Sequence, residues 1–291
     1  MYFNRIVEGI VRRIGFVLDD KTYLKLRFWA HMGTPLNLKS PTTFNEKLQW
    51  LKLYNRKPEY SRLVDKIEVK KWVAEKIGSQ YVIPTYAEWD DVGSIDLSSL
   101  PDSFVLKCNH SGGNTGVFIV KDKSTFDIES AKVTLSKVIQ RSVYKDFREW
   151  PYKNVKHRIL AEKMLGEHIE DFKFFCYDGY AESVMACYDR GSGDTKFYFF
   201  DKSWNLKRYN KRGMQAPEGF TMPKPKNIER MFEIASALSK GMPFVRVDLY
   251  NIDGQIYFGE MTFFPASGLD ANLLPETDKL FGEMIKLPKQ I

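Results

Sequence analysis

The chain has 291 residues, 43% of them hydrophobic, with 44 Lys+Arg against 37 Asp+Glu and a formal net charge of +7. That apolar content suffices for one sizeable core or two small ones, and no apolar run reaches the roughly 18 residues that a membrane-spanning helix needs. Three cysteines without CxxC spacing and four scattered histidines exclude a disulfide framework and a zinc-finger pattern. The most apolar early stretch, residues 6–18, is broken by Glu8, Arg12 and Arg13 and lacks a small-residue cleavage site, so the chain is expected to stay in the cytoplasm. Basic runs at 153–158 and 207–212 fit either a solvated surface or attraction to an acidic partner.

In chain order, Ile6, Val7, Ile10, Val11 and Ile14 recur at three and four and predict a first helix, followed by a second over 23–30. Thr43 and Glu46 form a capping-box signature ahead of Leu48, Trp50, Leu51 and Leu53, and one amphipathic pattern over 60–77 stops at Gly78. From Tyr81 the character changes to short β-branched and aromatic runs. These predict strands at 81–83, 104–107, 117–120, 159–162, 172–177, 183–188, 196–200, 244–250 and 256–262. Helices are expected at 128–141, behind a Ser124/Asp127 cap, and at 228–239, ending at Gly241. The chain therefore reads as α+β, a helical arm followed by a strand-rich remainder without repeats.

Three stretches carry chemistry. In FVLKCNHSGGNTGVFIV a strand ends on Lys107, and Ser111, Gly112, Gly113, Asn114, Thr115 and Gly116 form the turn into the next strand. Such a turn lets backbone N–H groups approach phosphate oxygens beside a lysine and two hydroxyls, and it is equally the composition of a plain hairpin turn. In FVRVDLYNIDGQIYFGEMTFFPASG the period of two puts Arg246 with Asp248 and Glu260 with Thr262. Asp248 and Glu260 share a face only if the loop holds an odd number of residues, most simply Asp253 to Gln255 with Gly254 left-handed. Two carboxylates beside an arginine suit Mg²⁺ on a polyphosphate, or form a surface salt-bridge ladder. In RILAEKMLGEHIEDFKFF a strand runs into Glu162, Lys163, Met164 and Leu165, which offer backbone groups and apolar faces to an adenine, with Glu167 or Asp171 for ribose hydroxyls; an amphipathic edge strand explains it equally.

The order of these stretches resembles the ATP-grasp superfamily, and within it the TupA-like group of polysaccharide and teichuronopeptide biosynthesis. Supporting phrases are FNEKLQWLKLYNRKP, DKIEVKKWV, REWPYKNVKHRILAEKML and DFKFFCYDG. The resemblance implies an ATP-grasp fold, two α+β subdomains (81–165 and 166–291) clamping ATP behind a helical N-terminal arm (1–80). It implies that Lys107 and the loop 111–116 hold phosphates, that Glu162 to Leu165 meet adenine, and that Glu167 or Asp171 takes the ribose. Asp248 and Glu260, assisted by Thr262, would hold Mg²⁺; Arg246, Lys107 and Lys173 would be catalytic; Arg148, Glu149 and Trp150 would touch the acceptor. Thr262 stands where most ATP-grasp enzymes have Asn. The implied activity is an ATP- and Mg²⁺-dependent carboxylate–amine ligation through an acylphosphate, joining an amino acid or amine to a uronic-acid glycan or precursor. A glycosyltransferase or sugar kinase of the same pathway and a non-enzymatic polyanion-binding module are the alternatives. No RNA- or DNA-binding signature accompanies the basic residues, so nucleic acid is not an expected partner.

Overall fold

The computed structural model describes residues 2–113, 115–167, 169–188 and 195–289, with the backbone alone for 2–5. Five helices come first: α1 (Tyr2–Ile14), α2 (Asp20–Met32), α3 (Phe44–Tyr54), α4 (Glu59–Val64) and α5 (Glu68–Ile77). Asp19 caps α2 by accepting from the Lys21 and Thr22 amides, and Gly33 ends it at φ 75°. The expected capping box opens α3, with Thr43 and Glu46 bonded reciprocally at 3.3 Å. The single pattern expected over 60–77 is two helices. Between them the Asp65 carboxylate accepts the amides of Ile67 and Glu68, an Asx-type turn that starts α5 and leaves Lys66 at the corner.

The expected strand at 81–83 is corrected as well. Residues 79–81 form a 3-10 turn, Val82 makes a lone bridge to Phe258, and the strand proper starts after Pro84. It is β1 (Thr85–Trp89), the edge of a four-stranded antiparallel sheet completed by β2 (Phe104–Cys108), β3 (Val117–Val120) and β4 (Ile159–Glu162) in the order β1-β4-β2-β3. Between β3 and β4 lie α6 (Ile128–Ile139), capped by Asp127 alone, and the short α7 (Val143–Phe147). Leu106, Val120, Leu135 and Ile159 close the small core of this sheet.

The second sheet has six antiparallel strands. They are β5 (Glu170–Tyr177), β6 (Tyr180–Tyr188), β7 (Lys196–Phe200), β8 (Leu206–Lys207), β9 (Val245–Ile252) and β10 (Gln255–Thr262), ordered β10-β9-β5-β6-β7-β8. Helices α8 (Lys211–Gln215), α9 (Ile228–Ser239) and α10 (Pro275–Met284) accompany it; α8 and α10 had no sequence expectation. The helical arm packs into this sheet's core: Leu48, Leu51, Tyr60 and Val73 join Phe175, Val247 and Phe281 in one cluster. Phe44 meets Phe244 edge-on at 4.8 Å. Each such buried side chain stabilises by about 1.5–3 kcal/mol, so arm and sheet hold each other.

The β9–β10 hairpin differs from expectation in an informative way. Its turn has two residues, Asp253 (φ 52°) and Gly254 (φ 96°), with Ile252 opposite Gln255. The odd residue is Gly259: Phe258 pairs with Leu249 but Glu260 pairs with Asp248, so a bulge restores the parity that the turn lacks. A Cβ on Gly259 would lie 3.1 Å from the Asp248 carbonyl oxygen, which explains glycine there.

Candidate active site

Backbone register assembles the acidic and basic residues. On adjacent strands Lys173 pairs with Asp248 and Asp248 with Glu260, one row across β5, β9 and β10; Arg246 opposite Thr262 forms the next. The row is ionically closed. Arg246 grips Asp248 with Nε and Nη2, both at 2.7 Å, and Lys173 Nζ donates to Asp248 and to Asp171 at 2.7 Å. Arg246 Nη2 also donates to Thr262 Oγ1 at 3.1 Å and lies 3.5 Å from Glu260 Oε1. Lys66, at the corner before α5, reaches Glu260 Oε2 at 3.0 Å and the Ser111 carbonyl at 2.8 Å. One ammonium thus ties the glycine-rich loop to the hairpin. Although burial opposes it, Lys66, then Lys173 and Arg246, hold the Glu260 carboxyl well below the ordinary carboxylate range.

A second ionic cluster stands at the end of β4. Glu162, 4% exposed, takes Lys107 on Oε1 and Lys70 on Oε2, the latter at 3.0 Å. Against the cost of burial the two lysines hold Glu162 below its usual range. Its carboxylate therefore positions Lys107 and Lys70. In the loop that follows β2, Gly113 and Gly116 take φ of 66° and 70°, and Asn114 lies outside the described residues. The Ser111 hydroxyl donates back to the Cys108 carbonyl at 3.3 Å.

The hinge residues stand apart. Lys163 N–H donates to Pro84 O at 2.9 Å, so that amide is taken; Met164 and Leu165 are half-buried. Glu167 pairs at 2.8 Å with Lys121, both of them exposed, whereas Asp171 is 2% exposed within the Lys173 network. The structure thus separates the two ribose candidates, one on the outside and one interior.

A cavity of about 550 Å³ brings Ser111, Gly113 and Thr115 of the loop together with Arg246, Glu260 and Thr262 of the hairpin. Its far wall includes Glu149 and Tyr152 from the segment after α7 and the turn at 265–267. Ala266 and Ser267 both have positive φ, 47° and 56°, a strained geometry costing about 1–3 kcal/mol per residue. Helix α3 holds that turn: Gln49 Nε2 donates to the Gly268 carbonyl at 2.7 Å, and Lys52 Nζ to Ser267 O and Phe147 O at 2.8 and 2.9 Å. Ser267 Oγ donates to Glu149 Oε1. Burial pushes Glu149 up and Lys52 down to about 8.

Of the acceptor candidates, only Glu149 lines the cavity. Arg148 is a strut, stacked 4.1 Å over Tyr23 and donating to the Gly15 carbonyl at 2.6 Å, and Trp150 is half-buried off the cavity wall. Sequence reasoning missed Lys66, Lys70, Lys52 and Ser267. The four-residue spacing of Lys66 and Lys70 in DKIEVKKWV was the available signal for the first two.

The site tests well for magnesium at Glu260 and less directly at Asp248. Mg²⁺ takes one or two carboxylates and fills its shell with water and phosphate oxygens. Both carboxylates are held by cations, but Glu260 lines the cavity with its side chain 28% exposed, whereas Asp248 is interior. Among the described residues no three His, Cys, Asp or Glu side chains gather where they could hold a metal ion. Among the same residues no helix is long and apolar enough to cross a membrane.

Two antiparallel sheets, a glycine-rich loop after a strand-end lysine and a carboxylate hairpin facing it define a protein of the ATP-grasp class. The chain belongs to the TupA-like ATP-grasp family, whose model matches residues 46–286. Solved structures similar to it include a D-alanine–D-alanine ligase from Helicobacter pylori, at 14% identity and TM-score 0.48 over 84% of this chain and 69% of that one. Another is the ATP complex of the D-alanine–D-alanine ligase from Bacillus anthracis, at 17% identity and TM-score 0.46 over 84% and 66%. An L-amino acid ligase from Bacillus licheniformis has 14% identity and TM-score 0.46 over 86% and 57%. The chain spans about two thirds of the first two and less of the third. No curated protein matches the sequence.

Proposed function

We propose that the protein is an ATP- and Mg²⁺-dependent carboxylate–amine ligase working through an acylphosphate, with a uronic-acid carboxylate and an amino acid or other amine as its acceptors. The observation that carries this reading is the cavity itself, where Ser111, Gly112, Gly113 and Thr115 face Arg246, Glu260 and Thr262 across space sized for a phosphoryl group and an acceptor. Lys107 and the loop amides hold the phosphates, and Arg246, kept protonated by Asp248 despite burial, neutralises the transferred phosphoryl. When bound, Mg²⁺ at Glu260 and Asp248 would supply charge compensation for the polyphosphate. A carboxylate oxygen displaces ADP from the γ-phosphorus; the amine nitrogen then forms the C–N bond, the bond from the acyl carbon to the phosphate oxygen breaks, and the amine's proton leaves with solvent or a base. Glu149, which lines the cavity along with Asp146, receives the amine end, while Arg141 offers charge to an acceptor's anionic end. The loop shields the acylphosphate from water.

The uronate and the surface-polysaccharide context rest on the family resemblance. With purified protein, Mg²⁺, ATP, glucuronate and a mixture of amino acids, ADP and phosphate should form only when both acceptors are present. ADP release with the sugar alone, leaving a stable phosphosugar, would mean a kinase. Competition by nucleotide sugars for the ATP site would mean a glycosyltransferase, and salt-sensitive polyanion binding without ATP turnover a binding module.

A further inference from the structure

We propose that the outer face of α1 and the turn after it form a docking surface for an anionic lipid bilayer. The apolar arc of α1 is wider than the core that covers it. Val11 is buried and Val7 half-buried, but Ile6, Ile10 and Ile14 are 61%, 51% and 40% exposed. Side chains four residues apart stack on one helix face, so these three isoleucines form a continuous stripe. The 3-10 turn Gly15–Val17 prolongs it with Phe16 and Val17, 88% and 67% exposed.

The charges beside the stripe are predominantly positive. Arg12 and Arg13 on α1 and Lys21 and Lys25 on the first turns of α2 are exposed, and none is ion-paired among the described residues. Of the neighbouring acids Glu8 is spent on Arg27 and Asp20 on Arg56 and Arg148, and the exposed Asp19, which caps α2 through the Lys21 and Thr22 amides, leaves the four cations in excess. Aliphatic and aromatic side chains without a polar anchor, rimmed by uncompensated arginine and lysine, match acyl chains beneath anionic headgroups, with the cationic stems lying along the apolar surface. A protein occupant would need an apolar groove and an acidic rim in register. A bilayer carries both at every point, and the stripe is too short and too charged at its edges to span one.

Co-sedimentation of the full chain with vesicles tests this. Binding is expected to 1:1 phosphatidylglycerol:phosphatidylcholine vesicles, with little to phosphatidylcholine alone, falling as salt rises. Ile10→Asp and Phe16→Asp alter exposed positions, so both should keep the wild-type melting temperature and lose about tenfold or more of the vesicle binding. The double change Arg12→Glu, Arg13→Glu should do the same while sparing the apolar stripe. Absence of binding to the anionic vesicles would overturn the proposal. So would binding that Ile10→Asp and Phe16→Asp leave unchanged, or a concentration-dependent dimer that those variants dissolve without any vesicle binding, which would give the face to a second copy.

Discussion

Lys66 shows how much of the site is decided by single side chains from remote parts of the chain. It comes from the corner that Asp65 caps, yet it joins Ser111 of the loop to Glu260 of the hairpin. Its ammonium occupies a Glu260 oxygen that the proposed function assigns to a metal, so metal and lysine compete for that oxygen. Glu260→Gln is expected to cut Mg²⁺-dependent ATP turnover by about a hundredfold or more, because the lost charge is the one balancing the ion. Nor is Glu260 the freely solvated carboxylate that a surface hairpin would present. Losing its charge opposite Lys66 and Arg246 should cost about 1–3 kcal/mol in urea unfolding at pH 7. The folded carboxyl titrates below its unfolded range, so its contribution is present above about pH 4.3 and disappears as pH falls through the folded value. The stability gap between wild type and variant should therefore shrink on acidification; a gap that stays constant from pH 7 to 3 would contradict the ion pair. Lys52 slopes the same way for the opposite reason, because burial disfavours its charged form. Its folded value is depressed to about 8 from 10.5, so the unfolded chain binds the extra proton between those limits. Wild type should gain on Lys52→Met across that window by up to about 1.4 kcal/mol per pH unit. Sequence patterns reach Lys107, Arg246, Asp248 and Glu260 because each sits in a local motif. Lys52, Lys66 and Ser267 act through partners between 45 and 215 positions away, which periodicity does not encode.

At the scale of elements, most strands were legible because their cores are aromatic and β-branched, and α3 because its cap is written in the sequence. The failures have local physical causes. An Asx-type turn interrupts what reads as one amphipathic run over 60–77, and Pro84 delays a strand until Thr85. The hairpin's expected odd-numbered loop is wrong, because the turn has two residues and the parity is set within the strand. Facing carboxylates require an odd residue, and Gly259 supplies it inside β10 while the turn keeps two residues. Gly259→Val adds a branched side chain whose Cβ would come 3.1 Å from both the Asp248 carbonyl oxygen and the Tyr250 ring. Overpacking of that kind costs about 1–3 kcal/mol, and losing the bulge would turn Glu260 to the opposite face. ATP turnover should fall at least as far as in Glu260→Gln; retention of turnover in a folded Gly259→Val protein would show that the bulge does not aim Glu260. A tighter approach joins α10 to the start of α3, where a Cβ on Gly282 would come 2.1 Å from the Thr42 carbonyl oxygen. Gly282→Ala should thus lower the melting temperature more than the loss of the Thr43 cap, itself about 1 kcal/mol.

The described residues form two hydrophobic cores, one under the four-stranded sheet and one shared by the arm and the six-stranded sheet, with the cavity between the loop of the first and the hairpin of the second. A nucleotide whose phosphates lie in that cavity has to contact both bodies, whereas a ligand of the hinge alone would not. Binding to the folded state alone stabilises it by about 2.7 kcal/mol at a hundredfold excess over Kd. A non-hydrolysable ATP analogue with Mg²⁺ should therefore raise the melting temperature and slow amide exchange both in the loop 111–116 and along β9 and β10. Chelating the magnesium should remove most of the protection on the hairpin while leaving part of that on the loop, since Lys107 and the backbone amides bind phosphate without the ion. In Glu260→Gln the magnesium-dependent part should vanish, and in Lys107→Ala the loop should lose protection with or without magnesium. Protection confined to the four-stranded sheet, unaffected by magnesium or by Glu260→Gln, would place the nucleotide away from the hairpin and leave the row Lys173, Asp248 and Glu260 as a structural ion network.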